Sequence, residues 1–317
     1  GGTATGTNSH VEGLETNTEG TNSHAEGQLT NARGVNSHAE GQETEAVGVN
    51  SHAEGLQTHA NKNNSHAEGR VTVADGVASH AEGSETQASG DYSHAEGQKT
   101  VASGLNSHTE GTNTKAAKSN SHAEGDQSGA LGVNSHAEGL LTNARGVNSH
   151  AEGQETEAVG NNSHAEGQGT TAGATNAHAE GQGTVTSEVS GHVAGRYNAV
   201  VANGLFNFGI GSSNNKRKSA MIIDGTNGKV YFVDAGGYDG GTSIANAKSI
   251  QDILKDSGGV EIEQLDESFD FNKNALFDVF NNIEDGLHIY VGTYRAQNTQ
   301  IARMLRITQY TEAGETK

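Results

Sequence analysis

The sequence lacks three residue types that most folded chains use. Its 317 residues contain no Cys, no Pro and no Trp, and aromatic residues make up only 4%. The absence of cysteine excludes disulfides and thiolate metal sites. With 31% hydrophobic residues, there is too little bulky apolar volume for one compact core of this length. No apolar run approaches the roughly 18 residues that cross a bilayer, so we expect no membrane insertion.

Charge and aromatic residues are unevenly distributed along the chain. Residues 1–195 hold 7 Lys and Arg against 24 Asp and Glu, a net of -17, and residues 196–317 hold 12 against 15, a net of -3. An acidic surface repels phosphates, so we expect no nucleic-acid partner. Of the 14 aromatic residues, 13 follow residue 195, which predicts that two kinds of structure meet there. The chain begins with Gly1 rather than Met, so we expect a fragment or a processed product.

A 14-residue repeat fills residues 1–195. Fourteen histidines from His10 to His192 lie 14 residues apart, and a Gly stands three residues after every one of them. Glu stands two residues after thirteen of these histidines, and Ser precedes twelve. The consensus is N-S-H-A-E-G-x-x-T-x-A-x-G-x. The 20 residues 29–48 recur identically at 141–160, which indicates growth by duplication.

The repeat predicts a stack of flattened coils, each with two short strands and two turns. Fourteen residues are too few for a helical-hairpin repeat. S-H-A-E and T-x-A alternate with the period of a strand, and each is followed by a Gly-containing turn. Ser37, Ala39, Thr44 and Ala46 then point inward, where only small side chains fit, while His and Glu point outward. We expect an all-β repeat of fourteen coils, a rod about 65 Å long.

The coil motif resembles the head repeat of trimeric autotransporter adhesins, in which N-S-x-A-x-G marks each coil. The match covers residues 1–195. It implies a left-handed parallel β-roll, assembled as a homotrimer with the N-S-x-A-x-G strands facing the threefold axis. The two x positions are His and Glu here, where that family usually has aliphatic residues. The S-H-A-E-G form is similar to repeats in tail-fibre and tail-spike proteins of bacteriophages and prophages.

The repeated His and Glu residues are the candidate functional residues. A catalytic site is a single constellation in a cleft, whereas a pair repeated along a rod indicates an interface. A His and a Glu two residues apart do not by themselves close a tetrahedral metal site, so we assign no catalytic residue, cofactor or metal. The possibility that rings of three histidines on a threefold axis bind a metal or an anion stays open. The resemblance assigns the following residues to a trimer interface: His24, Glu26, His38, Glu40, His52, Glu54, His66, Glu68, His94, Glu96, His122, Glu124, His136, Glu138, His150, Glu152, His164 and Glu166.

A threefold axis lined by these residues has a predictable electrostatic problem. With neutral histidines each layer would carry three Glu, a charge that does not persist unpaired in a confined space. We expect His–Glu hydrogen bonds between chains, histidine protonation and trapped water or cations to neutralise it. A neighbouring carboxylate raises a histidine pKa. Stability should then be greatest below roughly pH 6.5 and be lost as the pH rises through the folded pKa, whereas a face turned to solvent predicts no such dependence.

Residues 196–241 are predicted to form a β cap. This stretch resembles cap segments that follow such repeats in phage tail proteins. Its Phe206, Phe208 and Phe232 are expected to cover the open end of the last coil. Four short strands are expected between Asn- and Gly-rich turns: 197–202, 205–210, 219–224 and 229–234.

Two further segments follow the cap. Residues 242–259 are predicted to form a short amphipathic helix that begins at Thr242. Residues 260–317 are predicted to form a small α+β or β-rich tip domain with a helix near 275–283. Its strands are expected at 260–265, 287–293 and 301–310. Its candidate contacts to a sugar are Tyr290, Tyr294 and Arg295.

These observations favour a structural and receptor-binding segment of a phage tail fibre or spike, without enzymatic activity. The sequence contains no P-loop, no G-x-S-x-G and no H-E-x-x-H motif. The expected partners are two further copies of the chain, other virion tail proteins, and a cell-surface glycan or protein receptor; the expected location is the extracellular virion tail. Two alternatives stay open: a trimeric adhesin on a bacterial cell surface, and a tail-spike glycan depolymerase or self-cleaving fibre chaperone.

Overall fold

The repeat forms a parallel β-solenoid. The structure is a computed structural model that describes residues 1–232, 286–296 and 300–310, and these ranges contain strands but no helix. Each coil contributes one strand that begins at a histidine and one strand of two residues, and the strands stack into two parallel sheets. We call these the long-strand sheet and the short-strand sheet. The predicted all-β repeat with 14 residues per coil is confirmed.

The two sheets contain fourteen strands each within the solenoid. All strands of the long-strand sheet have five residues except His108–Thr109. The long strands are His10–Leu14, His24–Gln28, His38–Gln42, His52–Leu56, His66–Arg70, His80–Ser84, His94–Gln98, His108–Thr109, His122–Asp126, His136–Leu140, His150–Gln154, His164–Gln168, His178–Gln182 and His192–Arg196. The short strands are Thr3–Ala4, Asn17–Thr18, Asn31–Ala32, Glu45–Ala46, His59–Ala60, Val73–Ala74, Gln87–Ala88, Val101–Ala102, Lys115–Ala116, Gly129–Ala130, Asn143–Ala144, Glu157–Ala158, Thr171–Ala172 and Val185–Thr186.

Successive long strands pair in register, so that equivalent residues of adjacent coils lie side by side. His66 pairs with His80, and Glu68 pairs with Glu82. The backbone N–H of His66 donates to the carbonyl of Ser79 at 2.9 Å. The constant spacing in the sequence is what permits this, because one inserted residue would turn a strand's inward side chains outward.

The interior of the coil is lined by small side chains, as predicted. Ala39, Thr44 and Ala46 are fully buried, and Ser37 is 2% exposed. The Ser37 hydroxyl donates to the Gly34 carbonyl at 2.7 Å, so the turn satisfies this inward polar group. Ala, Ser and Thr hold the inward positions of nearly every coil, with Val193 in the last coil as a larger exception, and the low hydrophobic content of the chain follows from this small interior.

Both turns of each coil use left-handed backbone. One of them usually carries Asn, which tolerates this conformation. Asn36, for example, has φ of +56°, and its amide donates to Asn50 of the next coil at 3.0 Å. The equivalent position of the other turn carries mixed residues, including the β-branched Val71 at φ +57°.

The glycine that follows each Glu is required by both conformation and space. Gly97 has φ of +102°, a region in which side chains are strained. A Cβ built on it would lie 2.2 Å from the carbonyl oxygen of Gly111 in the next coil. Backbone of the adjacent coil cannot move away without breaking the sheet, which explains why all fourteen coils have Gly here.

Between the last coil and residue 232 the chain forms three strands: Gly204–Ile210, Ser219–Asp224 and Val230–Phe232. The first pairs parallel with His192–Arg196 and so extends the long-strand sheet. The other two add to it antiparallel, in chain order. A small apolar cluster of Ala199, Val201 and Ile222 lies beneath them.

The predicted strand at 197–202 is wrong. The Asn198 side chain accepts from the N–H of Val185 at 2.8 Å and donates to its carbonyl at 2.9 Å. The N–H of Ala199 donates to the Ser219 hydroxyl. The carbonyl of Ala199 accepts from the Asn207 side chain, so side chains occupy both backbone groups of Ala199, and the segment has no strand.

The predicted cover of the last coil by Phe206, Phe208 and Phe232 is also wrong. Phe208 is 44% exposed and Phe232 is 42% exposed. The cause is the register of the strand pair, which places Phe206 beside His192 and Phe208 beside Ala194, on the outward side of the long-strand sheet.

A β-hairpin formed by Gly286–Ala296 and Gln300–Tyr310 contains the strands predicted at 287–293 and 301–310. The predicted helices at 242–259 and 275–283 and the strand at 260–265 lie outside the described residues. In the part of the chain that the structure describes, no helix is long and apolar enough to cross a membrane.

Candidate functional site

The outward side of the long-strand sheet carries two parallel rows of side chains. The histidine row is the first residue of each long strand, from His10 to His192, and the glutamate row lies two residues further on, from Glu12 to Glu180. We call this surface the His/Glu face. The structure places all the predicted interface residues from His24 to Glu166 in these rows.

The rows include residues that the sequence analysis left out. His80, Glu82, His178 and Glu180 have the same place in the coil as the predicted pairs. The 14-residue spacing was a sufficient signal for them. The same spacing, counted on from His192, also identifies Phe206 as the next member of the histidine row.

The imidazole rings form a continuous stack. From His24 to His192 adjacent ring centroids are 4.5 to 4.9 Å apart, and adjacent planes lie within 22° of each other. The stack ends on Phe206, whose ring meets His192 edge-on at 5.3 Å. The strand spacing of the sheet sets this distance.

One nitrogen of each ring is shielded from solvent without a partner. In the thirteen histidines from His24 to His192, Nε2 is buried and makes no hydrogen bond within the described residues. The nearest acceptors are carboxylates: His66 Nε2 lies 3.4 Å from Oε2 of Glu68, the shortest such distance within a strand. An unsatisfied buried polar atom costs about 1–3 kcal/mol, and these nitrogens share this feature with the inward threonine hydroxyls of the coil, such as Thr44 Oγ1.

Some carboxylates of the glutamate row lie between two rings. Oε2 of Glu152 is 3.8 Å from Nε2 of His150, and its Oε1 is 4.0 Å from Nε2 of His164 in the next coil. Imidazole nitrogens and carboxylate oxygens thus alternate along the rod. These groups can exchange protons or bind a cation.

In the single chain the pKa is lowered in six members of the histidine row, whereas the expected rise concerned a threefold axis and stays a prediction. Burial lowers the pKa of each of them below its usual value, and the adjacent imidazoles lower it further, while the nearby carboxylates oppose this shift without reversing it. These six are His52, His66, His80, His122, His136 and His164.

Two members of the glutamate row are repelled by the carboxylates of the adjacent coils. Burial raises the pKa of Glu82 and Glu124 above its usual range, and interactions with the carboxylates of the adjacent coils raise it further. In these six histidines and two glutamates the shifts favour the neutral form of the side chain in the single chain.

The outward side of the short-strand sheet has a different character. Its residues vary from coil to coil, as Glu45, His59 and Val73 do at equivalent positions. Ion pairs here are local: Glu45 contacts Arg33 and lies 3.6 Å from Nδ1 of His59. We call this surface the variable face.

Three consecutive basic residues at 216–218 follow a tight turn at 214–215, and the central one, Arg217, has a structural role. Arg217 donates to the Gly183 carbonyl at 2.8 Å and to Oδ1 of Asn214 at 2.7 Å. These bonds tie the turn to the last coils.

The candidate sugar contacts lie on one strand of the hairpin. Tyr290 pairs with Arg306, and Arg295 pairs with Ile301. Tyr294 pairs with Ala302. Their side chains lie outside what the structure describes, so their role stays a prediction.

Comparison with known proteins adds no family. No protein-family model matches the chain, and no curated protein matches it. The assignment of a function therefore depends on the geometry of the two faces.

Proposed function

We propose that this chain is a rigid structural segment of a homotrimeric fibre, with the His/Glu face at the contact between copies. The observation that carries the proposal is the repetition of one His/Glu pair on one side of thirteen coils. A surface with a regular repeat along a rod is matched by a partner with the same repeat. The partner that supplies it most simply is another copy of this chain, aligned in register.

Two properties of the face support its burial in an assembly. Its Nε2 atoms are already shielded and unpartnered, so carboxylates or ordered water at an interface would satisfy groups that are costly in the single chain. The exposed Phe208 continues the glutamate row at its C-terminal end. Three such rings meeting on an axis would bury apolar area that one chain leaves in water.

We further propose that the fibre belongs to a phage tail and carries its C-terminal residues towards the host surface. The S-H-A-E-G form of the repeat favours this over the second candidate, a bacterial trimeric adhesin, whose usual motif has aliphatic residues at the His and Glu positions. In either case the partners are copies of the chain, neighbouring proteins of the fibre, and a glycan or protein receptor.

The test is binding of the full chain to surface glycans and intact cells of candidate host bacteria. Attachment predicts saturable binding to the cells of some strains, with no release of sugar reducing ends from their glycans. Release of reducing ends would contradict the proposal and support a depolymerase. A shortened chain in intact-mass spectra would instead support a self-cleaving chaperone.

A further inference from the structure

The His/Glu face contains groups of side chains with the donor chemistry of a metal site. In five places two successive histidines and the glutamate between them bring their ligand atoms within 4.8 Å of one another, and two more groups of at least three His or acidic residues meet the same distance. We call the first five groups the His–Glu–His triplets. They are His66–Glu68–His80, His80–Glu82–His94, His94–Glu96–His108, His122–Glu124–His136 and His136–Glu138–His150.

We propose that the His–Glu–His triplets bind divalent transition-metal ions of the Zn²⁺, Ni²⁺ or Co²⁺ type. Two imidazoles and one carboxylate form a donor set that such ions accept, with water in a remaining position. Each triplet is complete within one chain, so the inference goes beyond the proposed function and does not depend on it.

The distances within one strand already suit a metal ion. Bonds of 2.0 to 2.2 Å to nitrogen and oxygen place two ligands of a tetrahedral ion about 3.3 Å apart. His66 Nε2 and Glu68 Oε2 are 3.4 Å apart, and the equivalent pairs at His80 and His94 are 3.6 Å apart. A small side-chain movement therefore brings a nitrogen and an oxygen onto one ion.

The second histidine must turn out of the stack to complete the site. The rings of His66 and His80 are 4.6 Å apart with planes 7° from parallel, and lone pairs in parallel rings do not converge on one point. The terminal torsion of histidine is broad, so a rotation of one ring is accessible. Binding should then replace ring stacking with coordination at each occupied triplet.

The electrostatics of the face favour a cation. The Nε2 atoms concerned have no hydrogen-bond partner within the described residues. The glutamate row brings like charges together, since the carboxylates of Glu68 and Glu96 repel that of Glu82. A divalent ion satisfies the nitrogens and offsets this repulsion at the same point.

Shared ligands limit the number of ions bound. His80 belongs to two triplets, and so do His94 and His136. One Nε2 binds one ion, so His66–His108 holds at most two ions and His122–His150 holds one. Occupied triplets should therefore alternate with empty ones along the rod.

The test is equilibrium dialysis of the full chain, purified without a polyhistidine tag, against Zn²⁺ and against Co²⁺. The variant His80→Gln/His94→Gln/His136→Gln disrupts all five triplets named above and should lower the binding capacity by about half or more. The matched control is His59→Gln, which removes a histidine from the variable face and should leave the capacity unchanged. Circular dichroism checks that both variants keep the fold.

A second variant keeps every imidazole ring. Glu68→Gln/Glu82→Gln/Glu96→Gln should weaken Co²⁺ binding to these triplets about tenfold or more, since even an outer partner of a metal ligand contributes that much. No saturable uptake at millimolar ion, or equal capacity in the wild type and the triple histidine variant, would overturn the inference. If the chain has the mass of a trimer but takes up no ion, this inference is overturned and the proposed function stands.

Discussion

The two outward faces of the solenoid are built on the same coil but follow different rules. The His/Glu face repeats one pair of side chains thirteen times, whereas the variable face carries charged, polar and apolar residues at equivalent positions. The short strands stack as regularly as the long ones. The coil therefore does not need identical outward residues to fold, and the repetition on the His/Glu face has another cause. A repeated partner surface is the cause that we propose.

The inward side and the glycine rows show what the coil itself requires. Alanine, serine and threonine recur inside because larger side chains do not fit, and glycine recurs where the next coil approaches. Substitutions at these positions should have large effects on stability, while matched substitutions on the variable face should have small ones. The first two predictions below use that contrast, and the stability predictions run from the largest expected effect to the smallest.

Gly97→Ala should have the largest effect. It adds a Cβ at φ +102° and 2.2 Å from the Gly111 carbonyl oxygen, and the strain and the clash together should cost about 3 kcal/mol or more. The control is Gly129→Ala in a short strand, where the nearest atom is the Asn143 side chain at 3.1 Å. That change should alter stability by less than about 1 kcal/mol. Urea denaturation followed by circular dichroism measures both, and equal costs would contradict this account of the glycine row.

Ala95→Leu tests the width of the coil interior. Ala95 is fully buried, and overpacking at such a site costs about 1–3 kcal/mol. Val101→Leu also places a leucine in the coil, but on the variable face and with one added carbon, and should cost less than about 0.5 kcal/mol. A Leu at position 95 that leaves the midpoint of denaturation unchanged would show that the sheets can separate.

The pH dependence of stability distinguishes a single chain from an assembly. In the single chain the six lowered histidine pKa values mean that the unfolded state binds protons more readily than the folded state. The melting temperature should then fall as the pH is lowered through about 6.5. The raised pKa values of Glu82 and Glu124 have the opposite effect on the melting temperature. They act at more acidic pH, near the pKa that these glutamates have in the unfolded state.

Interchain His–Glu pairs would reverse the sign of this dependence. Carboxylates of neighbouring copies would raise the histidine pKa values, and stability would be present below pH 6.5 and be lost as the pH rises. Differential scanning calorimetry between pH 5.5 and 8.5 decides between the two. A melting temperature that does not change over this range would contradict both versions.

Val71→Gly should have the smallest effect, and it should stabilise. Val71 has φ of +57°, and removing a β-branched side chain from left-handed backbone should gain about 1 kcal/mol. The control is Val73→Gly in a short strand, which should cost about 0.5–1 kcal/mol because glycine weakens a strand. Thermal melts of both variants provide the test; a loss of stability in Val71→Gly would show that its side-chain contacts outweigh the strain.

The repeat could be predicted from the sequence because its constraints are local and recur fourteen times. Alternation in S-H-A-E gave the direction of Ser37 and Ala39, and the 14-residue spacing gave the register of the sheets. The strand predicted at 197–202 failed because the Asn198 side chain binds the backbone of Val185, a contact that no periodicity encodes. The prediction for Phe208 failed since it treated the aromatic residues as a plug, although its position 14 residues after Ala194 places it in the glutamate row.

The direction of the histidine pKa shifts in the single chain could not be predicted from the sequence, for a related reason. The sequence places a carboxylate near each histidine, but the balance depends on how deeply the ring is buried and how closely the rings stack. Burial is the largest effect at His66, ahead of both the adjacent His80 and the carboxylate of Glu68. That order of effects follows from three-dimensional packing alone.

The central claim is that the His/Glu face joins copies of the chain, and the solution mass tests it most directly. Size exclusion with light scattering should give three times 32.7 kDa for the wild type. His94→Glu/His136→Glu adds two negative charges to the His/Glu face and should shift the protein to the monomer. Gln87→Glu/Asn143→Glu adds the same charge to the variable face and should leave the trimer intact. A wild-type mass of 32.7 kDa, or equal dissociation of both variants, would contradict the claim.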